Sequence, residues 1–314
     1  MGKLAIQEAA AQLKAVLKEA EQGFPAREVR FIVDTYYQIQ KLRVALAAQS
    51  RSQAEGQESL VLHSWLTDQM AYLEKQIQRA MDKHTLSFPV GAVVRSAVGI
   101  GPVTAAGLFA HIDIRKAPYA GNIWAYAGLS PGVEWKKGEK RPWNAALKRL
   151  CYNIGMVFVK FSSNEKCEYG RLYALKRAQE IAANERGEFA AQAAAQLKAK
   201  KYGKSTVAYQ AYTQGKLPPD HINSRARRFA VKMYLSDFHA VCYMFEHDVE
   251  PPTPYVVAHD DGHNRVWRAA WVPTLSQVRQ IKSLWSNGHI LEVRSILSDA
   301  GLVSARALPL PLKG

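Results

Sequence analysis

The sequence predicts a mainly α fold, in which a helical hairpin or coiled coil leads into a helix-hairpin-helix domain and further helices follow. Long stretches rich in Ala, Leu, Glu, Gln and Lys carry apolar residues at three- and four-residue spacing, the signature of helices with one buried face. Breaks between those stretches coincide with Gly and Pro, as at Gly23-Phe24-Pro25 and Pro251-Pro252-Thr253-Pro254. Residues 1–86 show no strand-like alternation of apolar and polar positions.

Four regions follow in order. Region 1–86 reads as a helical hairpin or coiled coil. A first helix spaces Leu13, Val16, Leu17 and Ala20 along one face, and a second, from about Ala26, aligns Val29, Ile32, Val33, Tyr36, Tyr37 and Ile39. The third, from Ser59, uses Leu62, Trp65, Leu66, Met70, Leu73, Ile77 and Met81, with the polar run Gln49 to Glu58 as connector. Phe88-Pro89 ends that unit, because the residue before a proline is driven out of helical geometry. Region 87–168 is richer in Gly and aromatic residues, as tight turns require. Region 169–258 returns to long helices, from Tyr169 to about Lys200 with an interruption at Gly187, then a basic linker to Gly215, then His221 to Glu246. Region 259–314 holds two short helices, Leu275 to Trp285 and Ile290 to Leu297, around Ser286-Asn287-Gly288-His289. They form a helical hairpin packed on the body or a helix-turn-helix offering Glu292, Arg294 and Ser295 to a groove, and the first is the commoner outcome.

Charge narrows the partners. Lys and Arg number 42 against 27 Asp and Glu, a net charge of +15, which points to a polyanion. Nucleic acid fits dispersed cations best, because each phosphate contact releases counterions. Apolar runs such as Ala92 to Ala110 are broken by Arg95, Ser96, Gly and Pro and do not reach membrane-spanning length. Met1-Gly2-Lys3-Leu4 does not open a signal-peptide-like stretch, so the cytoplasm is the expected compartment. Cys151, Cys167 and Cys242 lack Cys-x-x-Cys spacing and read as reduced structural thiols. No Walker loop, Rossmann fingerprint or nucleophile elbow is present, so no cofactor is expected. His259-Asp260-Asp261-Gly262-His263 has metal-ligating residue types but sits in a Gly- and Pro-bounded stretch, and it reads as a polar turn with no metal.

The functional centre falls at Val98 to Leu108, where a helix ending, a Gly-Ile-Gly hairpin and a new helix from Pro102 or Val103 succeed one another. Gly99 and Gly101 permit close backbone approach, Ile100 plugs the hairpin into a core, and Pro102 suits a first helical turn. The N–H groups of Gly101, Val103 and Thr104 would then face an anion at a helix N-terminus, a grip on phosphate that needs no base identity. An ordinary tight turn fits the same spacing. Arg95 precedes the hairpin, and Lys136, Lys137, Lys140, Arg141, Lys148 and Arg149 follow among Trp124, Tyr126, Trp135 and Trp143. Trp124 and Tyr126 are expected in the core; for Trp135 and Trp143, which flank a Lys-rich loop, packing and stacking on bases are closer alternatives. Arg225, Arg227, Arg228 and Lys232 on the later helix offer a second phosphate contact or a solvated basic face.

The ordered runs VGIGPVTAAGLFAHIDI and AGNIWAYAGLSPGVEWKKGEKRPWNAALKRLCYNIG resemble the C-terminal domain of the Piv/MooV-type insertion-sequence transposases. Three features carry the resemblance: the hairpin at Gly99 to Pro102, the Ala-Tyr-x-Gly-Leu-x-Pro turn at Ala125 to Pro131, and the basic stretch from Lys136 into the helix through Leu150. The resemblance implies DNA as partner, structured RNA as a guide-like second ligand, and a chain from a mobile element or phage. It also implies a RuvC-like domain with metal-binding acidic residues and a serine nucleophile shortly after the turn. Glu8, Glu19, Glu21, Glu28 and Asp34 read instead as helix-face charges, and Glu134-Trp135-Lys136-Lys137-Gly138 holds no serine where the motif wants one. Ser130 lies inside the turn, too early for that role. The expectation is a nucleic-acid-binding, transposase-like protein without its own strand cleavage, served by a separate catalytic subunit. An active recombinase and a structural protein binding an acidic partner are the alternatives. The antiparallel helices of region 1–86 offer a surface for homo-oligomerisation.

Overall fold

The computed structural model describes residues 3–53, 61–130, 135, 136, 138–252 and 268–299. The described residues form thirteen α-helices and contain no strand, so the fold is mainly α. The cluster at His259 to His263 and the side chains of Lys137 and Arg294 lie outside the described residues.

The chain divides into two compact units. The first takes its described residues from Met1–Tyr119, His239–Thr253 and Ala270–Gly314, and the second from Ala120–Phe238 and Pro254–Ala269. The transposase-like stretch is thus shared between them.

In the first unit, α1 (Lys3–Ala20), α2 (Ala26–Gln53) and α3 (Val61–Thr85) precede α4 (Pro89–Ser96) and α5 (Pro102–His111). The breaks fall where Gly and Pro predicted them: Gly23 stands at φ 91°, and Phe88 is extended ahead of Pro89. α5 packs against both α2 and α3. Their shared core comprises Val29, Val33, Tyr36, Ala80, Met81, Val103, Ala106 and Ala110, edged by Leu17, Ile32, Tyr37 and Ile77. The predicted faces therefore bury only at the end of the α2–α3 pair that α5 covers. Farther out, Leu62 is 64% exposed, Trp65 55% and Leu73 48%, because nothing described there lies over them. α12 (Leu275–Ser286) and α13 (Ile290–Asp299) pack on each other through Val278, Ile281, Val293 and Leu297, and α12 also meets α4. A capping box at Thr274 and Gln277 starts α12.

The second unit contains α6 (Ala120–Tyr126), α7 (Ala145–Lys160), α8 (Glu168–Glu185), α9 (Ala190–Ala199), α10 (Val207–Thr213) and α11 (Pro219–His247) as far as Phe238. Gly187, at φ 79°, separates α8 from α9 as the sequence indicates. The supposed linker to Gly215 holds a helix of its own: the Thr206 hydroxyl accepts from the Tyr209 N–H and caps α10, and Tyr212 is buried against Ala193, Leu217 and Ile222. Two signals, a capping Thr and one aromatic anchor, are too short to show as periodicity.

The main core of the second unit is aromatic, with Phe158, Tyr169 and Tyr234 in mutual contact at ring separations of 5.1 to 5.8 Å. Asp237 is buried beside it and accepts from the Tyr169 hydroxyl at 2.7 Å. Burial pushes its carboxyl up to about 7, against the pull of that hydrogen bond. The folded state thus holds a proton that the unfolded chain releases near pH ~4. Stability conferred by the neutral form is greatest below about pH 4 and is lost as pH rises toward 7, by up to about 4 kcal/mol. Urea unfolding at pH 5 and pH 8 is expected to show about 2.5 kcal/mol of this loss in the wild type and its near absence in Asp237→Asn, which keeps an acceptor for Tyr169. In the first unit, Met81→Ala removes a fully buried side chain at the meeting point of α2, α3 and α5, and is expected to cost about 3 kcal/mol by the same measurement.

Candidate nucleic-acid interface

The hairpin predicted at Val98 to Leu108 is a turn between α4 and α5. Gly99 takes φ 96°, a backbone region that other residues enter only under strain. Ile100 is 4% exposed and its N–H donates to the Ala97 carbonyl at 3.0 Å, so it anchors the turn. Gly101 stands at the N-cap of α5 without a side-chain cap, and a Cβ added there would meet nothing within 4 Å. The first bond of the helix runs from the Ala105 N–H to the Gly101 carbonyl, leaving the N–H groups of Val103 and Thr104 ahead of it. The Val103 side chain is buried in the core shared with α2 and α3, whereas Thr104 is half-buried. Arg95 points inward: its side chain is 11% exposed, and its guanidinium pairs with Asp82 at 2.8 Å and donates to the Thr85 hydroxyl. Its positive charge is spent inside the unit.

The basic residues after the turn fall in the second unit. Lys136, Lys140, Arg141 and Arg149 are exposed. Arg141 lies over the Trp135 ring at 5.0 Å, and Trp135 meets Trp143 edge-on at 6.4 Å. Trp124 donates through its indole N–H to the Lys232 carbonyl at 3.1 Å, as a packed residue should, but Tyr126 is 46% exposed and departs from the expected core position. Its hydroxyl accepts from the Asn144 side chain, which also caps α7. A polar tip with a capping partner keeps that ring at the surface.

Six cationic residues of the unit line a cavity of about 670 Å³. The turn after α6 contributes Ser130, α7 contributes Lys148, Cys151 and Tyr152, α8 contributes Lys176 and Glu180, and α11 contributes Arg225, Arg227, Arg228 and Lys232. Arg225, Arg227, Arg228 and Lys148 are among the residues selected from sequence. Lys176 and Glu180 were not, although their four-residue spacing on a helix is an ion-pair signal. Gly155 on α7 lets α11 come close: a Cβ there would stand 2.4 Å from Arg227 Cγ and 3.1 Å from Val231 Cγ2.

Glu180 is the single carboxylate among the described lining residues and is 4% exposed. Arg225 donates to it through Nε at 2.5 Å and Lys176 through Nζ at 3.0 Å. Burial works to raise its carboxyl, but these two partners outweigh that effect and hold it below the usual Glu range. Lys148, Arg228 and Lys232 have no carboxylate partner among the described residues. Burial pushes all three below their usual ranges, and repulsion adds to it: Arg228 and Arg141 act on Lys148, Arg225 and Arg227 on Arg228, and Arg228 and Lys176 on Lys232. Arg228 remains exposed by area while its flanks are desolvated.

Aromatic rings hold most of these cations in place. Lys148 Nζ lies 3.8 Å from the centre of the Trp143 ring, Lys232 Nζ 5.1 Å from Trp124, Arg227 Cζ 4.4 Å from Tyr152 and Arg225 Cζ 4.7 Å from Phe189. A ring quadrupole attracts a cation without cancelling its charge. The lining therefore stays strongly positive. At its floor Cys151 is 1% exposed, with its thiol pushed up to about 12 by burial.

Residues 91–169 match the family model described as Transposase IS116/IS110/IS902 family. The match agrees with the transposase resemblance read from the sequence and is confined to that segment, from α4 through the start of α8. Over those residues the chain carries a transposase-like domain. No curated protein and no solved structure matches it. None of the described helices is long and apolar enough to cross a membrane.

Replacing Glu180 by Gln leaves Arg225 and Lys176 facing each other without their shared anion. We expect Glu180→Gln to lower stability by about 2 kcal/mol in urea unfolding. That lies below the ~3–5 kcal/mol of a fully buried pair because the two cations are 30% and 32% exposed.

Proposed function

We propose that this chain is a nucleic-acid-binding, transposase-like protein of a mobile element or phage, and that strand cleavage is supplied by a separate catalytic subunit. The observation that carries the binding function is the cavity of the second unit, where six cations face one carboxylate already engaged by two of them. An uncompensated cluster of that kind asks for a polyanion. DNA is the first partner because residues 91–169 match a transposase family, with structured RNA as a second. The hairpin of the first unit adds a backbone grip through the free end of α5, with Gly101 leaving room for a phosphate.

Cleavage is assigned elsewhere because the stretch after the Gly-Leu-x-Pro turn carries Lys137-Gly138 in place of a serine and glycine. Three acidic residues of the first unit also have structural work: Glu74 pairs with Arg43, Glu21 with Lys83 and Asp82 with Arg95. Self-association is supported by the apolar side chains left uncovered along α2 and α3, among them Phe31, Leu42, Leu62 and Trp65.

Mobility shifts on duplex DNA and structured RNA at ~0.15 M salt test the reading. We expect binding to DNA whose log affinity falls linearly with log salt, and a slope shallower by about one for Arg228→Gln. Gly101→Ala is expected to keep the wild-type melting temperature, since its Cβ meets no protein atom, yet to weaken duplexes of any sequence equally. No shift on either nucleic acid would instead favour an acidic protein partner. Nicking of supercoiled plasmid in Mg²⁺ would overturn the assignment of cleavage to another subunit.

A further inference from the structure

We propose that the cavity of the second unit seats a terminal phosphate monoester, the group that ends a 5′-phosphorylated nucleic-acid strand or a free mononucleotide. The inference deepens the nucleic-acid reading and rests on it for the strand, but not for the mononucleotide.

Size comes first. About 670 Å³ is the volume of a small-molecule site. A nucleotide fits within it, and a duplex backbone can reach the exposed Arg228 at its mouth. A phosphate that engages the half-buried Lys148 and Lys232 as well is best supplied by an end or a single nucleotide.

Charge selects among such groups. Glu180 is shared by Arg225 and Lys176. Lys148 from α7 and Arg227, Arg228 and Lys232 from α11 then have no carboxylate partner among the described residues. An internal phosphodiester brings one negative charge, while a monoester carries nearly two at neutral pH and offers three terminal oxygens. Arginine and lysine together suit it: a guanidinium fork can take two oxygens and an ammonium the third. Burial, and after it repulsion from neighbouring cations, holds Lys148, Arg228 and Lys232 below their usual pKa ranges, in keeping with cations gathered around one shared carboxylate.

The cations are also preorganised. Lys148, Arg227 and Lys232 rest on Trp143, Tyr152 and Trp124, so little side-chain freedom is lost when an anion arrives. Tyr152, 53% exposed at the edge of the same cavity, gives a base or sugar an apolar plane beside the phosphate.

The test uses the full chain and three fluorescein-labelled single strands, labelled at the 3′ end: one with a 5′-phosphate, one with a 5′-hydroxyl, and a hydroxyl-ended strand one nucleotide longer. The longer strand controls for one added negative charge at an ordinary position. Polarisation titrations are expected to show the 5′-phosphorylated strand bound at least about tenfold tighter than both others, equivalent to about 1.4 kcal/mol. The preference is expected to fall to about one in the double variant Lys148→Gln/Arg228→Gln and to persist in Lys148→Arg, with circular dichroism confirming that both fold. Calorimetry with AMP separates the two sources: saturable binding assigns the free mononucleotide as well, and its absence beside a preserved strand preference assigns the strand end alone. Equal affinity for all three strands with no AMP binding overturns the phosphate seat and leaves nucleic-acid binding standing. Failure of every strand to bind, with AMP still bound, overturns the nucleic-acid reading and keeps the seat for the mononucleotide.

Discussion

Like charges gathered on one helix are the constraint around which the second unit is arranged. Arg225, Arg228 and Lys232 stand three, four and seven residues apart on α11, so they share a face on which each repels the next. Lys148 and Lys176 approach from α7 and α8 and add to the repulsion. One buried carboxylate, Glu180, ties two members down, and aromatic rings hold others by attraction that leaves their charge intact. The positions of Trp124, Trp143, Tyr152 and Phe189 follow from that need. So does Gly155, whose missing side chain decides how near Arg227 can come.

The first unit uses charge in the opposite way. Arg43, Lys83 and Arg95 each meet a carboxylate, and the pairs Arg43–Glu74 and Arg95–Asp82 close over a core built from α2, α3 and α5. These three cations serve packing, and the start of α5 is left as open backbone. The two units thus present two kinds of electrostatics: fixed peptide dipoles at the turn of Gly99 to Gly101, and side-chain charge held on aromatic rings around the cavity. The stretch that matches the transposase family contributes to both.

Much of this was legible in the sequence. Helix content followed from periodicity, and the breaks at Gly23, Pro89, Gly187 and Gly288 followed from residues that cannot continue a helix or that admit positive φ. The turn between α4 and α5 was read residue by residue. Other features stayed hidden because they depend on pairs far apart in the chain. Arg95, adjacent to the turn, turns inward to Asp82, and nothing in its immediate sequence distinguishes that from a surface cation. Lys176 and Glu180 join the cavity only when α8 lies against α7 and near Arg225. The distal faces of α2 and α3 show the reverse limit: perfect periodicity marks where a partner surface is wanted, but not whether the same chain supplies it.

Cys151 lies under the cavity, nearly sealed from solvent and held in its protonated, unreactive form. Cys167 and Cys242 are buried as well. The thiol at the floor is consequently a native reporter: its rate of alkylation measures how often α7 and α11 separate enough to admit solvent. An occupant of the cavity that draws the surrounding cations together would slow that rate, so the arrival of a ligand is recorded at a thiol that does not touch it.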